Sequence, residues 1–256
     1  MYLIIYRKGW IIMAKIEICC GSYEDALAAY KGGAKRIELN QALHLGGLTP
    51  DVSALMLAKK NTDLEIVCMV RPRAAGFCYT DNEYEAMLID LKLLLDNGAD
   101  GIAFGFLTED FEVDKTRTKE FIDIIHSYGK TAVYHRAFDC TKDPYSAIET
   151  LIELGADRIL TSGQKAKAMD GKDLIKDLQI KYGDKIELLA GSGMNATNAK
   201  EMMEYTGISQ VHSSCKSWRE DVTTKYNDVT YGYSEEFPMS YDVVSEELVK
   251  KLVKSI

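Results

Sequence analysis

The sequence predicts a (β/α)8 TIM barrel, and three observations carry that prediction. Eight short apolar segments alternate with eight stretches of helical period, the pattern of βα units around a parallel sheet. One helix-to-strand junction recurs: Gly33-Ala34-Lys35-Arg36-Ile37, Gly98-Ala99-Asp100-Gly101-Ile102 and Gly155-Ala156-Asp157-Arg158-Ile159, with Gly207-Ile208-Ser209-Gln210-Val211 as a looser copy. A junction repeated along eight units suits a closed ring better than an open sheet. The glycine pattern GxGxxG that opens a dinucleotide-binding fold does not follow the first strand.

In chain order, the first strand is expected at 16–20, where Glu17 and Cys19 alternate with Ile16 and Ile18. The second, at 36–40, alternates Glu38 and Asn40 with Ile37 and Leu39. Apolar runs place the others at 65–70, 101–106, 131–137, 157–161, 186–190 and 210–213. Helices are expected at 23–31, 51–60, 82–97, 115–128, 145–154, 172–181, 196–205 and 245–254, several of them closed by a capping glycine. Residues 13–256 then form one domain. Residues 1–12 are expected as an N-terminal extension, or else as a short strand or plug over one barrel end. The segment 216–241 has no sustained period and is expected as an irregular excursion that packs on the rim, acts as a lid or makes an oligomer contact.

Net charge is −8 over 256 residues and no basic tract stands out, which argues against nucleic acid. The apolar start is split by Arg7 and Lys8 and is too short for a membrane span. The six cysteines fit neither CxxC nor zinc-finger spacing and sit mostly in apolar runs, as in a reducing compartment.

Sites of such barrels collect at the carboxyl ends of the strands. The third strand delivers Arg71 and Arg73 around Pro72, two rigid forks suited to carboxylate or phosphate. Glu17 and Glu38 face the barrel interior, where carboxylates need partners, and Arg71 with the His135-Arg136 pair are the partners expected. The fifth exit gathers His135, Arg136 and Asp139, a set able to bind charge and move protons, with His135 inward and Arg136 outward if the strand stays regular. The sixth supplies Ser162 and Gly163. The seventh, Gly191-Ser192-Gly193, and the eighth, His212-Ser213-Ser214, are where this fold places a phosphate cup, and Asn195 is expected to cap the next helix. The same residues would also serve a structural ion-pair network and tight turns. Copper(I) is the soft ion that two or three thiolates would select, but Cys19 and Cys20 are adjacent and diverge on a strand, and Cys68, Cys78, Cys140 and Cys215 are far apart in the sequence. His44 and His126 read as surface or packing residues.

Together these blocks resemble the CutC family, named for copper homeostasis. The matching stretches are IEICC (16–20), GGAKRIEL (32–39), GGLTP (46–50), VRPRAAGFCYTD (70–81), YHRAFD (134–139), ADRILTSGQ (156–164), LAGSGM (189–194) and VHSS (211–214). The resemblance implies a cytoplasmic barrel, commonly a homo-oligomer, with a part in copper tolerance or trafficking. It also implies two copper-binding cysteines. The first falls on Cys19, but the second position is Asn40 here, with Cys20 or Cys78 as substitutes. Two functions therefore stand as expectations. One is a copper homeostasis protein binding copper(I) with no other cofactor. The other is a lyase or isomerase acting on a phosphorylated or carboxylated metabolite, with Arg71, Arg73, Arg136 and the glycine loop holding the anion and Glu17, Glu38, His135 or Asp139 moving protons.

Overall fold

The structure is a computed structural model that describes residues 4–7 and 10–256, with side chains from Ala14 onward. Eight parallel strands close into a barrel: β1 (Lys15–Cys20), β2 (Arg36–Leu39), β3 (Glu65–Met69), β4 (Gly101–Phe104), β5 (Thr131–Tyr134), β6 (Arg158–Thr161), β7 (Glu187–Ala190) and β8 (Gln210–Ser213), with β8 pairing back onto β1. Helices alternate with them: α1 (Tyr23–Lys31), α2 (Val52–Asn61), α3 (Asp81–Asp96), α4 (Lys115–Ser127), α5 (Pro144–Leu154), α6 (Lys172–Tyr182), α7 (Ala199–Thr206) and α8 (Glu246–Ser255). The repeated junction has a backbone reason. Gly33, Gly98, Gly155 and Gly207 all take φ between +78 and +93, the left-handed turn that leads each helix back to the next strand.

Strand alternation makes two cores. Ile18, Ile37, Ile66, Ile102, Ile159 and Val211 pack with the helices in the large outer core. Within the barrel the lumen is split. Val67, Met69, Ala103 and Val133 from β3, β4 and β5 form a small apolar cluster. The remaining strands fill their side with ions. The Glu17 carboxylate forms an ion pair with Arg36, whose Nε lies 2.7 Å away, and has Arg158 Nη1 at 3.9 Å. Arg36 Nη2 reaches Gln210 at 2.5 Å, and Arg158 Nη2 reaches Glu187 at 2.7 Å. Both arginines lie at the amino ends of their strands, so this network floors the barrel.

Three expected elements differ. The fifth strand stops at Tyr134, and the chain turns into a 3-10 helix over Arg136–Cys140. Asn195 does not cap α7. The cap residue is Asn198, and Asn195 instead accepts from the N–H and hydroxyl of Thr197. The excursion after β8 is regular rather than irregular. β9 (Lys216–Glu220) pairs antiparallel with β12 (Ser240–Val244), and β10 (Lys225–Tyr226) with β11 (Val229–Thr230) nearer the tip. Its base is tied to the barrel by buried Asp25, which accepts from Val244 N at 2.8 Å and Gly21 N at 2.9 Å. Its aromatic face stacks Trp218 on Phe237 and Tyr233 on His44, which gives His44 a packing role. At the N-terminus, Ile4–Arg7 and Trp10–Met13 pair as an antiparallel hairpin outside the barrel sheet. The rest of the expected extension, residues 1–3, 8 and 9, lies outside the described residues.

Candidate functional site at the barrel mouth

A cavity of about 550 Å3 opens at the carboxyl ends of the strands. Its floor and walls bring together Cys19, Glu38, Met69, Arg71, His135 and His212 from the strand exits, with Arg136, Ser192 and Gly193 at the rim. The excursion contributes Lys216, Asp242, Val243 and Val244, so it forms one wall of the mouth. Four arginine and lysine side chains (Arg71, Arg136, Lys167 and Lys216) line the cavity against two carboxylates, Glu38 and Asp242. The mouth is therefore cationic within an acidic protein.

One side of the mouth is built on β1, β2 and β8. Cys19 Sγ, a Glu38 oxygen and a His212 ring nitrogen all lie within 4.8 Å of one another. His212 Nδ1 meets Glu17 Oε1 at 2.9 Å, and its Nε2 lies 4.0 Å from Glu38. Burial opposes a charge on His212, but hydrogen bonds to Cys19 and Glu17 and the Glu38 carboxylate outweigh it. They hold the imidazole well above its usual value, as a cation. Burial also pushes on Glu17, yet Arg36, His212 and Arg158 bring that carboxyl down to about 2. Burial raises Glu38 against the pull of His212, and raises Cys19 to about 11. Asn40 packs against this group, with Nδ2 3.6 Å from Cys19 Sγ and 3.0 Å from Glu38 Oε2.

The opposite side is built on β3 and β5. Arg71 is buried, and its guanidinium donates to three neutral carbonyls: Leu45 at 3.2 Å, Gly47 at 3.0 Å and Ala75 at 2.7 Å. The buried His135 ring accepts from Ala137 N at Nδ1, 3.1 Å away, which puts the proton of the neutral ring on Nε2. Burial, then the Arg71 charge, lowers His135 to about 3, so the ring is neutral. Gly105 leaves room for it: a Cβ there would stand 2.6 Å from the imidazole Cε1. Phe77 lies between the two groups, its centroid 5.2 Å from the Arg71 guanidinium carbon and 4.9 Å from the His135 ring.

Several expectations need correction. The partners of Glu17 are Arg36, Arg158 and His212 rather than Arg71 and the fifth-strand pair. Arg36 and Arg158 were legible only as parts of the repeated junction, and their inward facing follows from register. His135 and Arg136 both reach the cavity, because the strand ends before alternation could separate them. Asp139 has no free oxygen for proton transfer. It accepts from Arg136 Nε, Thr161 Oγ1, Ser162 N and Oγ, and Gln164 N, and so it moulds the loop after β6. Ser162 is spent in the same way and also accepts from Arg136 Nη2 at 2.8 Å. Gly163 is small because Gly171 O would stand 2.2 Å from a Cβ, and Gly191 because Leu160 would stand 2.6 Å away. The Gly191 N–H already bonds Thr161 O at 2.9 Å, leaving Gly193 and Ser192 as the part of that loop on the cavity. Ser213 turns away to bond Met194 O at 2.7 Å, and Ser214 lines the mouth instead. Arg73 pairs with Glu83 and Cys78 O outside the cavity. Of the substitute thiols, Cys20 is buried in the outer core and Cys78 is exposed. Neither joins Cys19 among the described residues.

A closed eight-stranded parallel barrel ringed by helices, with a polar cavity at its carboxyl-end mouth, defines a TIM-barrel protein. The CutC family model matches residues 14–217, and the chain belongs to the CutC family. It is 46% identical over 244 residues to a family protein CutC of Treponema denticola, covering 94% of this chain and 98% of that one. It is 39% identical over 205 residues to a protein named copper homeostasis protein cutC homolog in Homo sapiens, covering 80% of this chain and 74% of that one. The crystal structure of a CutC protein from Streptococcus agalactiae superposes with a TM-score of 0.74 at 27% identity, covering 79% of this chain and 99% of that one.

Proposed function

We propose that the protein serves copper homeostasis by taking up one copper(I) ion between Cys19 and His212, with Glu38 beside them. The observation that carries this reading is the convergence of the three donors within 4.8 Å at the mouth of an accessible cavity. Thiolate and imidazole suit copper(I), and the harder carboxylate is the weakest of the three as a ligand. Asn40 fits a one-thiol site, since its amide stands where the family's second thiol is expected and leaves Cys19 as the lone sulfur. Uptake must displace the Cys19 proton and the His212 Nε2 proton, so the ion replaces an internal cation rather than adding charge to an empty hole. The reading extends to the cytoplasm as compartment, supported by six unpaired cysteines. It extends also to self-association, supported by Val222, Tyr226, Val229 and Tyr231 exposed on the excursion.

The test is anaerobic titration of copper(I) against a chromophoric chelator. One ion per chain is expected, lost in Cys19→Ser and strongly reduced in His212→Ala, while Asn40→Cys tightens binding by supplying a second thiolate. Undiminished binding in Cys19→Ser would sink the assignment.

A further inference from the structure

Arg71 stands apart from the two other buried arginines. Arg36 and Arg158 are each matched to a carboxylate within 2.8 Å, whereas Arg71 meets neutral oxygens among the described residues, three carbonyls and the Tyr79 hydroxyl. A buried guanidinium with no anionic partner is costly. Nor does its neighbour Tyr79 supply one, because burial pushes that hydroxyl up to about 12 even against the pull of Arg71. Three of the five guanidinium donors go to these carbonyls, and Nε meets no hydrogen-bond geometry among the described residues. His135 Nε2 is likewise buried without a partner. The loop carbonyls at 45, 47 and 75 clamp the guanidinium in place, and Phe77 holds it in line with the imidazole.

We infer that this side of the cavity is a binding site for the carboxylate of a small organic acid, held by Arg71 with His135 as a further donor. The inference goes beyond the copper reading and uses none of its ligands. A planar carboxylate matches the guanidinium fork. A single buried cation beside a neutral imidazole balances one negative charge, which favours a carboxylate over a phosphate dianion. Met69, Phe77 and Leu160 offer apolar wall for the rest of the molecule, and about 550 Å3 admits a metabolite-sized one.

The experiment is calorimetric titration of the metal-free protein with sodium benzoate and, separately, with inorganic phosphate. One benzoate per chain is expected, with a Kd of roughly millimolar for so small a ligand. Arg71→Met weakens it roughly ten- to a hundred-fold, the scale of a lost charge-assisted hydrogen bond. Arg73→Met, outside the cavity, leaves it unchanged. If Arg71→Met does not fold, His135→Phe carries the test, and a several-fold weakening supports the site. Benzoate binding unaltered in the folded variant overturns the proposal, as does absence of binding to wild type or tighter binding of phosphate than of benzoate. Repetition in Cys19→Ser separates the two readings. Retained benzoate binding there supports an anion site independent of copper, and lost binding overturns its placement on Arg71.

Discussion

Two histidines sit at the mouth of one barrel, both buried, and only one of them is charged. His135 stands on the side of the lumen filled by Val67, Met69, Ala103 and Val133, next to the cation of Arg71, and is neutral. His212 stands on the ionic side, against Glu17, and is protonated. Residue type and position at a strand exit are the same. What differs is whether the layer beneath provides a counter-charge. The cationic histidine is already satisfied by its protein neighbours, whereas the neutral one and its arginine are not.

The sharpest way to break this comparison is Glu17→Gln. It leaves Arg36, Arg158 and His212 without their shared anion, and a loss of about 3–5 kcal/mol in urea unfolding is expected. The His212 proton should then titrate nearer the ordinary range by NMR. Stability unchanged in this variant would mean that the ionic floor does not set the state of the mouth.

The next effect is on acid stability. His135 has a folded value of about 3 against 6.5, so below pH 6.5 the unfolded chain takes up a proton that the folded chain refuses. Its contribution is fully present above 6.5 and falls as pH drops towards 3, by about 2 kcal/mol at pH 5. His212 has the opposite sign: its contribution is present below 6.5 and is lost as pH rises through its raised value. The difference in unfolding free energy between wild type and His135→Gln, followed from pH 7 to pH 4, isolates the first. A difference independent of pH would contradict the neutral ring.

Removing the Arg71 charge, as in Arg71→Met, should move the His135 titration upward, visible in its ring proton shifts. The smallest effect is expected at Arg73→Ala. That solvent-screened pair with Glu83 should contribute little to stability in urea unfolding, and its loss should leave the cavity unaltered. A large loss there would reverse the ranking of the two neighbouring arginines.

Arg71 and Arg73 also mark how far residue reading reached. Both left the same strand around one proline, and chemistry alone could not tell them apart. Only the loop carbonyls of Leu45, Gly47 and Ala75 pull the first inward, and only Glu83 on α3 draws the second away. Asp139 looked like a proton carrier because its many donors come from Thr161, Ser162 and Gln164, more than twenty residues downstream. Lys167 was missed as cavity lining, and the β9–β12 wall was foreseen only as a rim or lid segment without its lining residues. Neither lies in a barrel strand, and no local period points such a side chain toward a distant site.

Local pattern was enough for the barrel itself. Alternation within strands, helical period between them and a left-handed glycine at each repeated junction are short-range properties, legible in consecutive residues. Which charges meet inside is long-range. Glu17 finds His212 across 195 positions only because β8 closes onto β1. The protonation of each mouth residue, and the cavity that results, follow from that closure, since the energy of a buried charge depends on neighbours that the chain brings together only by folding.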